Sequence, residues 1–362
     1  MARRWLPALV GALWALLLGV ASSYEIKAVT PPVIMGESPY WDDATGTVIF
    51  IDVIGQMVLR YDPAHPEDLK NISLSGYTGR VTPAVPVKNC TMMLVGVGTV
   101  LHLVDVDWGA PGVPAVVKTS TAMSRVEEHL PTNRFNDGKA DSRGRLWIGT
   151  MDDRQTSRRR RRRFSPNKGE LFRFHMKRDL NQTSGYCVDT KCVVEDNLSI
   201  PNGMAWTPDD KYYYLADSAS KAVYRFDFDA EQGVLSNRTA AFRFEDHGVP
   251  GAPDGLTLDV DGNLWIACVH GGRVIRVDPR TGSLLQTIRL NTTNPSAAEW
   301  GGKDRDVLYV TTARYQMGEQ QLAREPDAGR TFAITGLGTR GLPSAPYPAV
   351  AAARADTSSA SW

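Results

Sequence analysis

Four short segments carry polar side chains in patterns suited to chemistry. Gly36-Glu37-Ser38-Pro39 places a carboxylate in a turn just ahead of a strand-forming run. Asn133-Arg134-Phe135-Asn136-Asp137-Gly138-Lys139 sets polar or glycine residues around one phenylalanine. Ile200-Pro201-Asn202-Gly203-Met204 and Ala252-Pro253-Asp254-Gly255-Leu256 form a pair: proline, then Asn or Asp, then glycine, then an apolar run. Read singly, each is a competent β-turn, with proline fixing φ and Asn or Asp capping its own backbone. Read together, Glu37, Asn202 and Asp254 offer three oxygen donors of mixed charge. Such donors suit a hard divalent cation, Ca²⁺ or Mg²⁺, with water completing the shell. No His or Cys belongs to the set, so softer ions gain nothing from ligand type.

These residues lie far apart in the chain, so only an architecture that gathers distant turns can bring them together. The repeats supply one. Val48-Ile49-Phe50-Ile51-Asp52 leads through Met57-Val58-Leu59-Arg60-Tyr61 to Asp62, ten residues after Asp52. Tyr213-Tyr214-Leu215-Ala216-Asp217 reaches Asp227, and Leu264-Trp265-Ile266-Ala267-Cys268 reaches Asp278, at the same spacing. Alternation and turn chemistry make these β-hairpins. Weaker copies occupy 92–105, 146–174 and 308–332. Six copies at intervals of roughly 45 to 65 residues predict an all-β fold, a six-bladed β-propeller with a central channel. A β-sandwich is the plain alternative, but it has no need for the same aromatic and aspartate spacing in successive hairpins. Loops at one end of the blades converge on the channel, which is where the polar segments are expected to meet.

Composition agrees with a globular domain and narrows its partners. The 362 residues are 42% hydrophobic and 22% charged, and 41 Lys and Arg balance 40 Asp and Glu. That balance excludes a chain-wide nucleic-acid surface and an acidic disordered protein. Arg3 and Arg4, the apolar stretch from Trp5 to Val20 and the small residues Ala21, Ser22 and Ser23 predict a secretory signal peptide over 1–23, with an uncleaved signal anchor as the alternative that the short stretch, interrupted by Pro7, Gly11 and Gly19, disfavours. The propeller is expected over 24–342 and a disordered tail over 343–362, where Ala, Ser, Pro and Arg follow no period. The mature protein is then secreted, with no membrane segment. Sequons at Asn71, Asn89, Asn181, Asn197, Asn237 and Asn291 support luminal exposure, whereas Asn294 is excluded by Pro295. In an oxidising lumen Cys187 and Cys192 can close a small loop, and Cys90 and Cys268 are expected as buried thiols.

The same motifs carry a resemblance. Gly36 to Pro39, Asn133 to Lys139, Gly149-Thr150-Met151, Pro201-Asn202-Gly203, Pro253-Asp254-Gly255, Leu264 to Thr281 and Thr331 to Gly338 resemble, in order and spacing, the regucalcin (senescence marker protein), gluconolactonase and luciferin-regenerating enzyme family. The resemblance spans about residues 30 to 342. It implies a propeller with one divalent metal, Ca²⁺ first, then Zn²⁺, Mn²⁺ or Mg²⁺, held by Glu37, Asn202 and Asp254. It implies hydrolysis of sugar lactones, the metal acting as Lewis acid and Asp254 activating or steering the attacking water. Arg134 and Asn136 fall on substrate-orienting positions. Oligomeric state is left open.

Two features depart from the family pattern. After Gly149-Thr150-Met151, where relatives carry a carboxylate on a loop covering the site, the register places Arg154 and leaves Asp153 as the carboxylate able to take over. The same loop holds six arginines, Arg158 to Arg163, a run that is solvated, cut by a basic-site protease, or a contact for a polyanion such as a sulfated sugar. A non-catalytic binder of calcium or a small ligand, and a luciferin-regenerating type of hydrolase, are the alternative functions.

Overall fold

Runs such as Val48-Ile49-Phe50-Ile51 and Leu264-Trp265-Ile266-Ala267 are buried at every residue, which requires cover on both faces of the sheet that contains them. The computed structural model, which describes residues 24–153, 167–179, 181–182 and 185–347, provides that cover by standing six four-stranded antiparallel sheets around a channel. The first strands of the blades are Gly36–Asp42, Val81–Pro86, Asn133–Ala140, Pro201–Trp206, Ala252–Leu258 and Pro295–Gly301, and they touch one another in a closed ring that lines the channel. The hairpins legible in the sequence are the second and third strands of each blade, for example Thr47–Asp52 with Met57–Tyr61 and Leu264–Val269 with Arg273–Asp278.

The core is six seams, one between each pair of neighbouring blades. Alternate residues of one strand serve opposite seams: Leu264, Ile266 and Cys268 pack toward the fourth blade, Trp265 toward the sixth. The ring closes with Glu25–Ala28, which pairs with Phe332–Thr335 as the outermost strand of the last blade.

A second closure corrects the expected disordered tail over residues 343–347. Beyond the last blade the chain crosses the end of the channel away from the first residues of the inner strands. Val260 N donates to Arg340 O and Gly341 N to Arg305 O, and the chain then reaches Val87, where Tyr347 N donates to Pro86 O at 3.0 Å. The Tyr347 side chain is 1% exposed and fills the seam between the second and third blades. An aromatic ring of that size outweighs the polar, aperiodic composition around it.

The expected Cys187–Cys192 bridge is also corrected. Both residues lie on one continuous strand, Tyr186–Leu198, opposite Lys177 and Phe172. Five residues of strand separate them by about 16 Å, beyond the reach of a disulfide. Cys268 is buried as expected, and burial pushes its thiol well up, whereas Cys90 is exposed in a turn. Residues 1–23, Arg154, the run Arg158 to Arg163 and residues 348–362 lie outside the described residues.

Candidate functional site

The predicted ligands sit on the inner strands themselves, at a shared irregularity. Register shifts interrupt the pairing of every inner strand close to its start, between Glu37 and Tyr40, Val81 and Ala84, Phe135 and Gly138, Pro201 and Met204, Pro253 and Leu256, and Pro295 and Ala297. Such a bulge leaves residues unpaired and re-aims their side chains. Asn136, Asn202 and Asp254 fall inside bulges and Glu37 immediately before one.

This placement revises the β-turn reading of the Pro-Asn-Gly and Pro-Asp-Gly segments. Their glycines answer to the neighbouring blade: a Cβ on Gly203 would lie 2.1 Å from Leu256 N, and one on Gly255 would lie 2.2 Å from Ala297 Cβ. Adjacent inner strands approach too closely for any side chain there.

The repeated aspartates fix where two of these strands begin. Asp52 accepts Ile34 N and Met35 N, at 2.9 and 3.1 Å, together with the amides of Ile54 and Gly55 in its own turn. Asp217 accepts Ile200 N at 2.9 Å in the same way. Glu37 follows Met35 by two residues, and Asn202 follows Ile200 by two.

Glu37, Asn202 and Asp254 are 8%, 5% and 4% exposed, and each keeps one oxygen (Oε2, Oδ1 and Oδ1) buried without a hydrogen-bond partner. Burial, followed by the charges of Asp254 and Asp137, holds the Glu37 carboxyl well above its usual range. Burial and then Asp137 do the same to Asp254. Bare buried oxygens of this kind are costly, and mutually repelling carboxylates raise one another's pKa. Among the described residues no three His, Cys, Asp or Glu side chains form a metal cluster by themselves, so the Asn202 amide is needed to complete the set. Two carboxylates and an amide, each with one oxygen lacking a partner, fit a hard divalent cation.

Asp137, which sequence reasoning left without a role, adds negative charge just inside the channel. It accepts Ser38 Oγ at 2.8 Å and Gly138 N at 2.8 Å, and burial raises its pKa. Its Asp-Gly step, shared with Asp254-Gly255, was the available signal. Further along the inner strands, Lys139 Nζ of the third blade meets Glu299 of the sixth at 2.6 Å in an ion pair.

Arg134 is buried and held rigidly: Nε donates to Asp153 at 2.9 Å, and Nη1 donates to Phe135 O and to Asn136 Oδ1, each at 2.8 Å. Asn136 Nδ2 donates to Pro201 O at 3.0 Å, so its amide ties the arginine to the fourth blade. Arg134 and Asp153 also line an open cleft of about 810 Å³ with Arg80, Glu127 and Thr132. The four predicted residues Arg134, Asn136, Asp254 and Glu37 are electrostatically or directly linked, because the Arg134 charge lowers the pKa of both Glu37 and Asp254.

Comparison with known proteins places this arrangement. The model of the SMP-30/Gluconolactonase/LRE-like region matches residues 35–314. The chain belongs to this family. Its relatives include regucalcin from Bos taurus, 35% identical over 86% of this chain and 94% of the relative, and regucalcin from Oryctolagus cuniculus, 35% identical over 90% and 99%. A luciferin-regenerating enzyme structure superposes with a TM-score of 0.77 at 28% identity over 90% of this chain and all of that one. The structure of a calcium-binding regucalcin from Agrobacterium tumefaciens gives 0.74 at 23% identity over 90% of this chain and 97% of that one, a likeness of fold. The six-bladed architecture expected from the repeats is thus that of the family.

Proposed function

We propose that this protein is a secreted, divalent-cation-dependent hydrolase of sugar lactones. The observation that carries the reading is the set of three buried, partnerless oxygens on Glu37, Asn202 and Asp254, contributed by three blades beside a rigidly held arginine. Membership of a family that includes gluconolactonases supports the substrate class. A cation held by these oxygens supplies Lewis acidity to a lactone carbonyl when bound.

The chain's own groups supply the rest. Arg134, with Nε and Nη1 committed to protein acceptors, presents Nη2 to the substrate, and Asp153 keeps the guanidinium in place. A cleft of this size takes a sugar-sized ligand. Asp254 orients the water that adds its oxygen to the carbonyl carbon and is placed to receive its proton. The ring C–O bond then breaks, the ring oxygen takes up a proton, and a hydroxy acid leaves. Ca²⁺ is the expected ion, with Mg²⁺, Mn²⁺ and Zn²⁺ as the ions to compare.

Secretion rests on the N-terminal stretch and on the sequons. Asn71, Asn89, Asn181, Asn197, Asn237 and Asn291 are all exposed, whereas the disqualified Asn294 is buried. Glycosidase-sensitive protein in the medium of expressing cells supports this part, and unmodified protein retained inside overturns it.

The deciding assay is hydrolysis of aldonolactones by chelated protein, before and after adding each cation. Cation-restored turnover that falls roughly 10- to 100-fold in kcat/KM with Arg134→Ala, at unchanged cation affinity, is the expected outcome. Saturable cation binding with no turnover would favour a non-catalytic calcium binder.

A further inference from the structure

The amide of Asn202 can face the channel with either end, and the two choices have opposite consequences. Oxygen inward gives a cation a ligand, whereas nitrogen inward gives it N–H groups that repel it. What decides between them lies outside the three ligands. Asn202 Nδ2 donates to Ser218 Oγ at 3.0 Å, and Ser218 Oγ donates to the Pro253 carbonyl at 2.7 Å. Ser218 occupies the turn that follows Tyr212–Asp217, at the end of the blade where Asn202 lies.

Counting hydrogens fixes the direction of this chain of bonds. A carbonyl cannot donate, so the single hydroxyl hydrogen of Ser218 is committed to Pro253. The hydroxyl oxygen is then left only as an acceptor, which the nitrogen of Asn202 can satisfy and its oxygen cannot. The outcome is the arrangement observed: Nδ2 donates to Ser218 and also approaches the Asp254 carboxylate, and Oδ1 is buried without a partner. The same hydroxyl grips the peptide that carries Asp254, so two ligands on two blades share one anchor.

We propose that Ser218 is a positioning residue for the cation site, fixing the Asn202 amide with its oxygen inward and holding the Pro253-Asp254 backbone beside it. The inference rests on the reading that Glu37, Asn202 and Asp254 hold a divalent cation. Outer partners of metal ligands typically change metal affinity by about 10- to 100-fold when removed.

The test is calorimetric titration of the full-length, chelated protein with Ca²⁺ alone, so the readout is binding and not turnover. Ser218→Ala is expected to weaken Ca²⁺ binding about 10- to 100-fold, and Ser218→Thr, which keeps the hydroxyl, to restore it. The signature of amide orientation is a second background: Asn202→Asp offers oxygen at both ends, so adding Ser218→Ala there should cost far less. Equal losses in both backgrounds would overturn the amide-orientation argument. Should Ser218→Ala fail to fold, Ser218→Cys, of similar size and poor hydrogen-bonding power, replaces it in both backgrounds. Binding that disappears with Glu37→Ala but is unchanged in Ser218→Ala leaves the cation site standing and overturns the role of Ser218. Wild-type protein without saturable Ca²⁺ binding overturns the cation reading itself, and this inference with it.

Discussion

A buried carboxylate oxygen without a donor is among the most expensive things a folded chain can carry, and this site holds two of them, on Glu37 and Asp254, together with a bare amide oxygen on Asn202. The cost persists until positive charge arrives, so the site works against the stability of the cation-free fold. Asp254→Asn removes one of the repelling charges and is expected to raise the Tm of chelated protein while abolishing the rise that Ca²⁺ produces in wild type. Thermal melts with and without chelator check this, and a variant with a lower cation-free Tm and an intact Ca²⁺ response would refute it. Glu127, beside the cleft, makes a separate case. Burial first, with help from the charge of Glu170, pushes its carboxyl up to about 7 against the bonds from Thr150 and Asn133 that pull it down. The folded state therefore holds this proton more tightly than the unfolded chain, whose glutamate titrates near 4.3. Stability from this group is complete below about pH 4.3 and is lost as pH rises through about 7. Glu127→Gln is expected to flatten the fall in Tm between about pH 5 and about pH 8, and parallel profiles for variant and wild type would show that another group dominates.

Among the elements, the inner strands are specialised and the others generic. Second and third strands need only apolar alternation to fill two seams. The inner strands must also bulge at one level and pass within backbone contact of one another, which Gly203 and Gly255 permit. Gly203→Ala is expected to cost about 1–3 kcal/mol or more by urea unfolding, as overpacking does. Gly76, with open space around its Cβ position, serves as the control, and Gly76→Ala should fall within about 0.5 kcal/mol of wild type. A neutral Gly203→Ala would mean that the blades can separate without loss.

The whole ring is fastened at both termini of the described chain. Glu25–Ala28 completes the last blade, and the segment ending at Tyr347 crosses the far end of the channel to the second and third blades. Truncation after Leu342 empties the pocket of a fully buried aromatic ring and is expected to cost about 3–5 kcal/mol. The Ca²⁺-induced rise in Tm should survive, because the cation ligands lie at the opposite end. Unchanged unfolding by urea after truncation would show that the strap contributes no closure.

What the sequence determined by itself was the part of the fold that is local. Hairpin alternation, the aromatic spacing and the ten-residue interval between aspartates announced the middle strands of the blades, because period and turn chemistry are properties of contiguous residues. The segments bearing Glu37, Arg134, Asn202 and Asp254 were also legible, as polar islands before apolar runs. Their conformation was not: Pro201-Asn202-Gly203 reads as a turn, and only Leu256 of the next blade explains why it is a bulged strand with an obligatory glycine. Cys187 and Cys192 read as a loop closure until a continuous thirteen-residue strand, on which they lie five residues apart, holds them out of reach of one another. Tyr347 reads as tail until the seam that receives it exists. Which end of Asn202 faces the channel depends on a hydroxyl in a neighbouring turn and a carbonyl on the next blade. Each of these was decided by atoms distant in the chain, whose steric and hydrogen-bonding demands come into force only when the ring has closed.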